Sequence, residues 1–186
     1  MDVKSAYLNA LLDEEVYMLL PAGILKSGQE NMVCKLKKAL YGLKQAGREW
    51  QKTLTTVFTN ELGFKWSAVN HSIFFRCRGK EHAIIAVAMD NMAVTSKHTS
   101  DITKFKKEIQ EHFVISDGGE LCWFLGFKIK RDQTTWTVSI NQWSYIERMV
   151  EKFQLTNSKP VTTLMEPDAC FSKDQSPSTP SQQFQM

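Results

Sequence analysis

An α+β fold, with an antiparallel sheet carrying helices on one face, is what this sequence predicts. Three observations predict it. Apolar residues recur with helical period along three separated stretches. Between them lie short runs rich in β-branched and aromatic side chains, bounded by turn residues. In order, the larger elements read strand, helix, strand, strand, helix, strand, the split-βαβ arrangement.

Asp2 to Leu8 alternates loosely and is read as a strand. Val16 to Leu20 and Met32 to Leu36 are read as two further strands flanking a polar, glycine-containing loop. From about Lys38, the residues Leu40, Leu43, Ala46, Trp50, Leu54, Val57 and Phe58 mark one face of a helix, weakened at its start by Gly42 and Gly47. Ser72 to Arg78, a Gly79-Lys80 turn and the run His82 to Met89 form a hairpin. Asp90 and Asn91 both tolerate a left-handed backbone, so the next turn is placed there, with a returning strand from Met92 to Ser96.

Ser100 or Asp101 is the expected cap of a second helix with Ile102, Phe105, Ile109 and Phe113 on one face, closed by Asp117-Gly118-Gly119. Leu121 to Lys130 and Thr135 to Ile140 pair around Asp132-Gln133. Trp143, Ile146, Met149, Val150 and Phe153 give a last amphipathic helix. Ser, Pro and Gln dominate the end, so 166–186 is expected to be a disordered tail after one domain over 1–165.

Composition excludes several function classes. The 186 residues suffice for one core. A formal net charge of +3 is too mild to establish a polyanionic partner, so charge placement has to decide. Cys34, Cys77, Cys122 and Cys170 lack the close spacing of zinc sites and read as reduced thiols of an intracellular protein, cytoplasmic or nuclear. The apolar run Ala83 to Met89 is far shorter than the roughly 20 residues of a membrane span. Met1 and Asp2 do not begin a signal peptide. The histidines at 71, 82, 98 and 112 do not cluster and receive no role.

Three stretches bear chemistry: Met1-Asp2-Val3-Lys4-Ser5-Ala6-Tyr7-Leu8-Asn9, Leu40-Tyr41-Gly42-Leu43-Lys44-Gln45-Ala46-Gly47-Arg48-Glu49-Trp50, and Ala88-Met89-Asp90-Asn91-Met92. With Val16-Tyr17-Met18, Val33-Cys34-Lys35-Leu36, Phe124-Leu125-Gly126, the stretch around Gln142 and Tyr145-Ile146, and Lys159-Pro160-Val161, they resemble the reverse transcriptases of copia-type retrotransposons over about residues 1 to 165. Singly each match is weak; their order and spacing make the set specific.

The resemblance implies the palm region of an RNA-directed DNA polymerase. Asp2 and Asp90 would then be metal ligands, holding two Mg2+ ions for nucleotidyl transfer. The template would be RNA, the primer DNA and the substrates deoxynucleoside triphosphates. Tyr7 takes the family position of the ring that excludes a ribose 2′-hydroxyl; by itself it reads equally as a core aromatic. Gln45 takes the position of an amide contacting the incoming nucleotide and template, or is a solvated helix residue. Lys44, Arg48 and Lys52, spaced four apart, make a basic stripe for phosphates or an ordinary solvated face. Leu125-Gly126 resembles the turn supporting the primer end, or is a simple bulge.

The sequence departs from the family at Asn91, where a second Asp is usual, at Ala88, where an aromatic is usual, and at Gly47, where Pro is common. Asn offers magnesium a neutral oxygen in place of an anionic one, so impaired activity is expected. On this resemblance the fingers segment expected ahead of Asp2 is missing, as are ribonuclease H, integrase and protease regions. A repurposed non-catalytic nucleic-acid-binding module and an unselected translated remnant are the alternatives.

Overall fold

The computed structural model describes residues 1–21, 23, 32–79, 81–162, 172 and 176. The tail expected over 166–186, the thiol Cys170 and the Lys80 half of the expected Gly79-Lys80 turn lie outside the described residues, apart from positions 172 and 176 of the tail. Among the described residues, Cys34, Cys77 and Cys122 are free thiols, and no helix is long and apolar enough to cross a membrane.

Two compact units divide the chain at Trp143. In the first, strands β1 (Asp2–Val3), β2 (Leu11–Leu19) and β3 (Val33–Lys38) precede helix α1 (Ala46–Thr56). Then come β4 (Lys65–Trp66), β5 (Ile73–Arg78), β6 (Glu81–Ala88), β7 (Asn91–Ser96), helix α2 (Thr99–Gln110) and β8 (Ile115–Ser116). The last three strands are β9 (Trp123–Phe124), β10 (Phe127–Asp132) and β11 (Thr137–Asn141). A six-stranded antiparallel sheet has the order β4-β5-β6-β7-β1-β8; β2-β3 and β11-β10-β9 form two smaller sheets. The second unit contains helix α3 (Trp143–Lys152), which ends one residue before Phe153 of the expected stripe, with none of the helix's residues fully buried.

Strand alternation sends Phe74, Arg76, Ala83, Ile85, Val87 and Met92 to one face of the large sheet, where all are buried. The stripe of α1 and its continuation, Trp50, Leu54 and Phe58, and that of α2, Phe105 and Ile109, cover this face. Phe58 meets Phe74 edge-on at 4.8 Å and Phe105 at 6.0 Å, and Trp50 meets Phe113 at 5.1 Å, so both helices share one core. Among the described residues nothing buries the opposite face to the same degree, and Ile84 is half exposed there.

α1 passes into a π-helical turn (Val57–Glu61), and Gly63, at φ 68, ends it in the left-handed conformation. The Phe64 N–H then reaches the Phe58 carbonyl at 2.8 Å, one residue further back than in a Schellman cap because the last turn is π-helical. A Cβ at Gly63 would also meet the Arg78 guanidinium. Gly63→Ala is therefore expected to cost about 1–2 kcal/mol, read as a lower urea midpoint with unchanged slope.

Several expectations need correction. Asp2 to Leu8 is not one strand: β1 ends at Val3, Ser5 turns at φ 52, and Ala6–Asn9 is a 3-10 turn tied by the Asn9 amide to the carbonyls of Lys4, Ser5 and Ala6. The hairpin turn is Met89-Asp90, because Ala88 pairs with Asn91, which makes Asn91 the first residue of β7. The residue before α2 is His98; Asp101 instead sits in its first turn and accepts the Ser96 hydroxyl at 2.7 Å. β4 and β8, of two residues each, were not expected at all.

Candidate active site

β1 lies between β7 and β8, and its register sets Asp2 directly opposite Asn91 on one side and Ser116 on the other. The flanking bonds run from Val3 N–H to the Asp90 carbonyl and from Met92 N–H to the Met1 carbonyl, each 2.8 Å. Asp2 and Asn91 are thus a non-hydrogen-bonded pair, the closer kind, with Cα atoms about 4.5 Å apart and both side chains on one face. Val3 and Met92 point into the core. By alternation, Asp2, Asn91 and Ala88 face the open side of the sheet.

Asp90 follows as the second residue of the two-residue turn. The first, Met89, has φ 58. The Asn91 side-chain amide donates to the Asp90 carboxylate at 3.1 Å. The structure therefore groups Asp2, Asp90 and Asn91, three residues that the sequence singled out.

Two tyrosines pack against each other nearby. Tyr7, raised on the 3-10 turn, is half-buried and lies 4.5 Å from the Tyr41 ring, with its hydroxyl near the start of α1 at Gly47. Burial pushes the Tyr41 hydroxyl above its ordinary pKa, and the negative charges of Asp90 and Asp2 push it the same way. A cavity of about 360 Å³ opens beside Asp2 and Asn91, its far wall the 116–123 loop. Lys106 and the Gly119 N–H hold Asp117 of that loop in its ionised form, lowering its pKa.

The other expected contacts are spread out. Gln45 is half-buried at the N-cap of α1. Lys44 precedes the helix rather than lying on it, and it and Arg48 are exposed. Lys52 is engaged by Asp13 at 2.6 Å and Glu49 at 2.9 Å, which raise its pKa, so it does not present a bare charge and the three do not form one stripe. Leu125 and Gly126, at φ 52 and 81, make the tight turn between β9 and β10; they do not line the cavity, but Trp123 does.

Sequence reasoning missed Tyr41, Trp50 as a partner of the turn, and the polar face of β10. On that face Lys128 pairs across the sheet with Trp123 and reaches over its ring at 5.8 Å, with Lys130 two residues on. Tyr41 stood inside a quoted motif, and the Trp123-Lys128 pair follows from the β9–β10 turn; only the register reveals their neighbours.

Two carboxylates and one amide make a sparse donor set. Among the described residues there is no group of three His, Cys, Asp or Glu side chains that could hold a metal. Asp2 and Asp90 suit magnesium only in the manner of ions that complete their shell with water and substrate phosphate, not as a protein cage. The sequence pattern of the family described as reverse transcriptase (RNA-dependent DNA polymerase) matches residues 1–167. The chain belongs to this reverse transcriptase family.

Its relatives agree. It is 35% identical over 179 residues to the retrovirus-related Pol polyprotein from transposon TNT 1-94 of Nicotiana tabacum, covering 96% of the chain and 14% of that protein. To the Pol polyprotein from transposon RE1 of Arabidopsis thaliana it is 35% identical over 167 residues, 90% of the chain and 11% of the relative. To the transposon Ty1-DR4 Gag-Pol polyprotein of Saccharomyces cerevisiae it is 27% identical over 117 residues, 61% of the chain and 7% of the relative. These likenesses make it a copia-type reverse transcriptase sequence that spans a small fraction of the polyproteins it matches. No solved structure matches it.

Proposed function

We propose that this chain is the palm region of a copia-type reverse transcriptase, with Asp2 and Asp90 as its metal-holding carboxylates and Asn91 as a degenerate third position. The observation that carries this is Asp2 paired across the sheet with Asn91, beside Asp90. The order β6-β7-β1-β8, with both helices on one face, supports the split-βαβ palm reading. RNA template, DNA primer and deoxynucleoside triphosphates are the proposed substrates, handled within a longer Pol polyprotein.

Magnesium bound here would activate the primer 3′-hydroxyl and neutralise charge on the triphosphate and the leaving pyrophosphate. The chain's own residues position and screen. Asp2 and Asp90 supply fixed negative charge on the open face, where a primer end can reach them. Tyr7, backed by Tyr41, walls the sugar. Lys44 and Arg48 meet phosphates near α1, and Trp123, Lys128 and Lys130 offer a ring and two cations to a strand leaving the cavity.

A second reading, a nucleic-acid-binding module without catalysis, draws on the Asn91 amide already satisfying Asp90. Primer extension on an RNA template with magnesium, comparing the chain with Asn91→Asp, separates the two. Extension by neither, with retained binding, selects the second.

Binding in both readings depends on counterion release. With Lys44, Arg48, Lys128 and Lys130 as contacts, log affinity for a single strand is expected to fall against log salt with a slope of about −3. Arg48→Ala should weaken all sequences alike and make the slope shallower by about 0.7. Titrations showing no change between about 50 and about 200 mM salt would remove these cations as the contact surface.

A further inference from the structure

We infer that Trp50 is a positioning residue for the candidate active-site hairpin: its indole N–H, bonded to the Met89 carbonyl, holds the Met89-Asp90 turn in the conformation that sets Asp90 beside Asp2. Two-residue hairpin turns that need positive φ at their first position ordinarily place Gly, Asn or Asp there. Here that position is Met89, at φ 58. A side chain in this region strains the backbone, so contacts elsewhere must hold it.

Those contacts fall on the two turn carbonyls. The Asp90 carbonyl accepts the Val3 N–H of β1, and the Met89 carbonyl accepts Trp50 Nε1 of α1, both at 2.8 Å. The turn is gripped from both sides, by a neighbouring strand and by the helix behind the sheet.

Trp50 is well built for the task. It is 2% exposed, between Ala46 and Leu54 on the buried stripe of α1, and its ring is fixed edge-on against Phe113. A buried indole N–H needs an acceptor. This one finds it in a turn 39 residues away. Through this bond, the helix that follows Gln45 and bears Arg48 is fixed to the turn that bears Asp90.

Gly accepts positive φ without strain, so Trp50→Phe, Met89→Gly and their combination form the test. Amide shifts and hydrogen exchange of Asp90, Asn91 and Met92 are read without metal, with Ile109 as the core reference. Trp50→Phe keeps an aromatic ring, though a smaller one, and removes the donor; the lost volume acts on the core reference Ile109 as well, so the lost hydrogen bond is read as exchange at Met92 about fivefold faster than at Ile109. Met89→Gly in the same chain should return the hairpin amides to within about twofold of their parent values, because the turn then no longer needs holding.

Equal acceleration at Met92 and Ile109, unrescued by glycine, overturns the inference and leaves Trp50 as core packing alone. If Trp50→Phe fails to fold, a folded double variant supports the inference and an unfolded one overturns it. The catalytic meaning of this hold rests on the metal-site reading. In the Asn91→Asp background, Trp50→Phe should weaken magnesium-induced thermal stabilisation, and Met89→Gly should restore it. Rescue of the hairpin amides with no magnesium response in any variant would sink the metal-site reading and leave the turn-holding role standing.

Discussion

Asn91→Asp is expected to raise magnesium-dependent primer extension by about 10²–10³-fold, the scale on which one fixed group acts in a charged transition state. The reason lies in two features of the site. Asn91 sits directly opposite Asp2, so a carboxylate at position 91 enters the same face and adds a third carboxylate beside Asp2 and Asp90. The Asn91 amide also donates to the Asp90 carboxylate, and the substitution removes that donor, leaving Asp90 free to turn to a cation.

The same change should have opposite effects on stability with and without the ion. In chelator, three neighbouring carboxylates repel and the variant should melt below the parent. On adding magnesium it should gain more than the parent, a total of about 2.7 kcal/mol where the ion is a hundredfold above the variant's Kd. Asp90→Asn in that background should abolish the gain. Thermal melts in chelator and in magnesium check the sign without relying on catalysis. A melting response identical in parent and variant would make position 91 a strand residue only.

Removing both carboxylates around Arg76 is expected to cost about 3–5 kcal/mol, a fall of roughly 10 °C or more in Tm. Arg76 is 2% exposed, and its guanidinium donates to Glu81 at 2.6 Å, Glu108 at 2.7 Å and the Leu62 carbonyl at 2.9 Å while lying over the Phe64 ring. Glu81→Gln with Glu108→Gln preserves shape but leaves a buried cation without counter-charge. Arg76→Met should cost less than half as much, since water and Lys104 reach the two carboxylates that remain.

Acid sensitivity follows from the same cluster. Lys104, hydrogen-bonded to Glu81, lowers the Glu81 pKa from its ordinary 4.5, burial opposes this, and Arg76 adds to the lowering. A carboxylate with a lower pKa folded than unfolded stabilises the fold above the unfolded value and loses that contribution as pH falls through the folded one. Stability should therefore decline below about pH 4.5, and Glu81→Gln should flatten that decline. Urea melts across this range check it; an unchanged acid limb would show that Glu81 does not drive it.

Local pattern made much of this legible. Trp50, Leu54 and Phe58 read as a helical stripe and are buried as one, and the run through Ala83, Ile85 and Val87 reads as a core strand and is one. The motif stretches placed Asp2 near Asp90 and Asn91, and the register brings them together. Two-residue strands such as β8 are too short to show alternation, so the strand that flanks Asp2 on its other side was invisible. The hairpin turn was misplaced by one residue because Asp90-Asn91 has the better turn chemistry, while cross-strand pairing of Ala88 with Asn91 selects Met89-Asp90.

What the sequence determined by itself, therefore, was the family and the α+β class, because side-chain periodicity and motif order are properties of neighbours along the chain. The tertiary structure alone decided that Lys52 is paired with Asp13, that Arg76 lies in the core between Glu81 and Glu108, and that Trp50 grips the Met89 carbonyl. Lys52 and Trp50 each find that partner 39 residues away, and Glu108 lies 32 residues from Arg76. A charge or an N–H leaves no mark in sequence of the distant group that satisfies it; packing the helices on the large sheet, and setting β2 beside α1, is what brings them within reach.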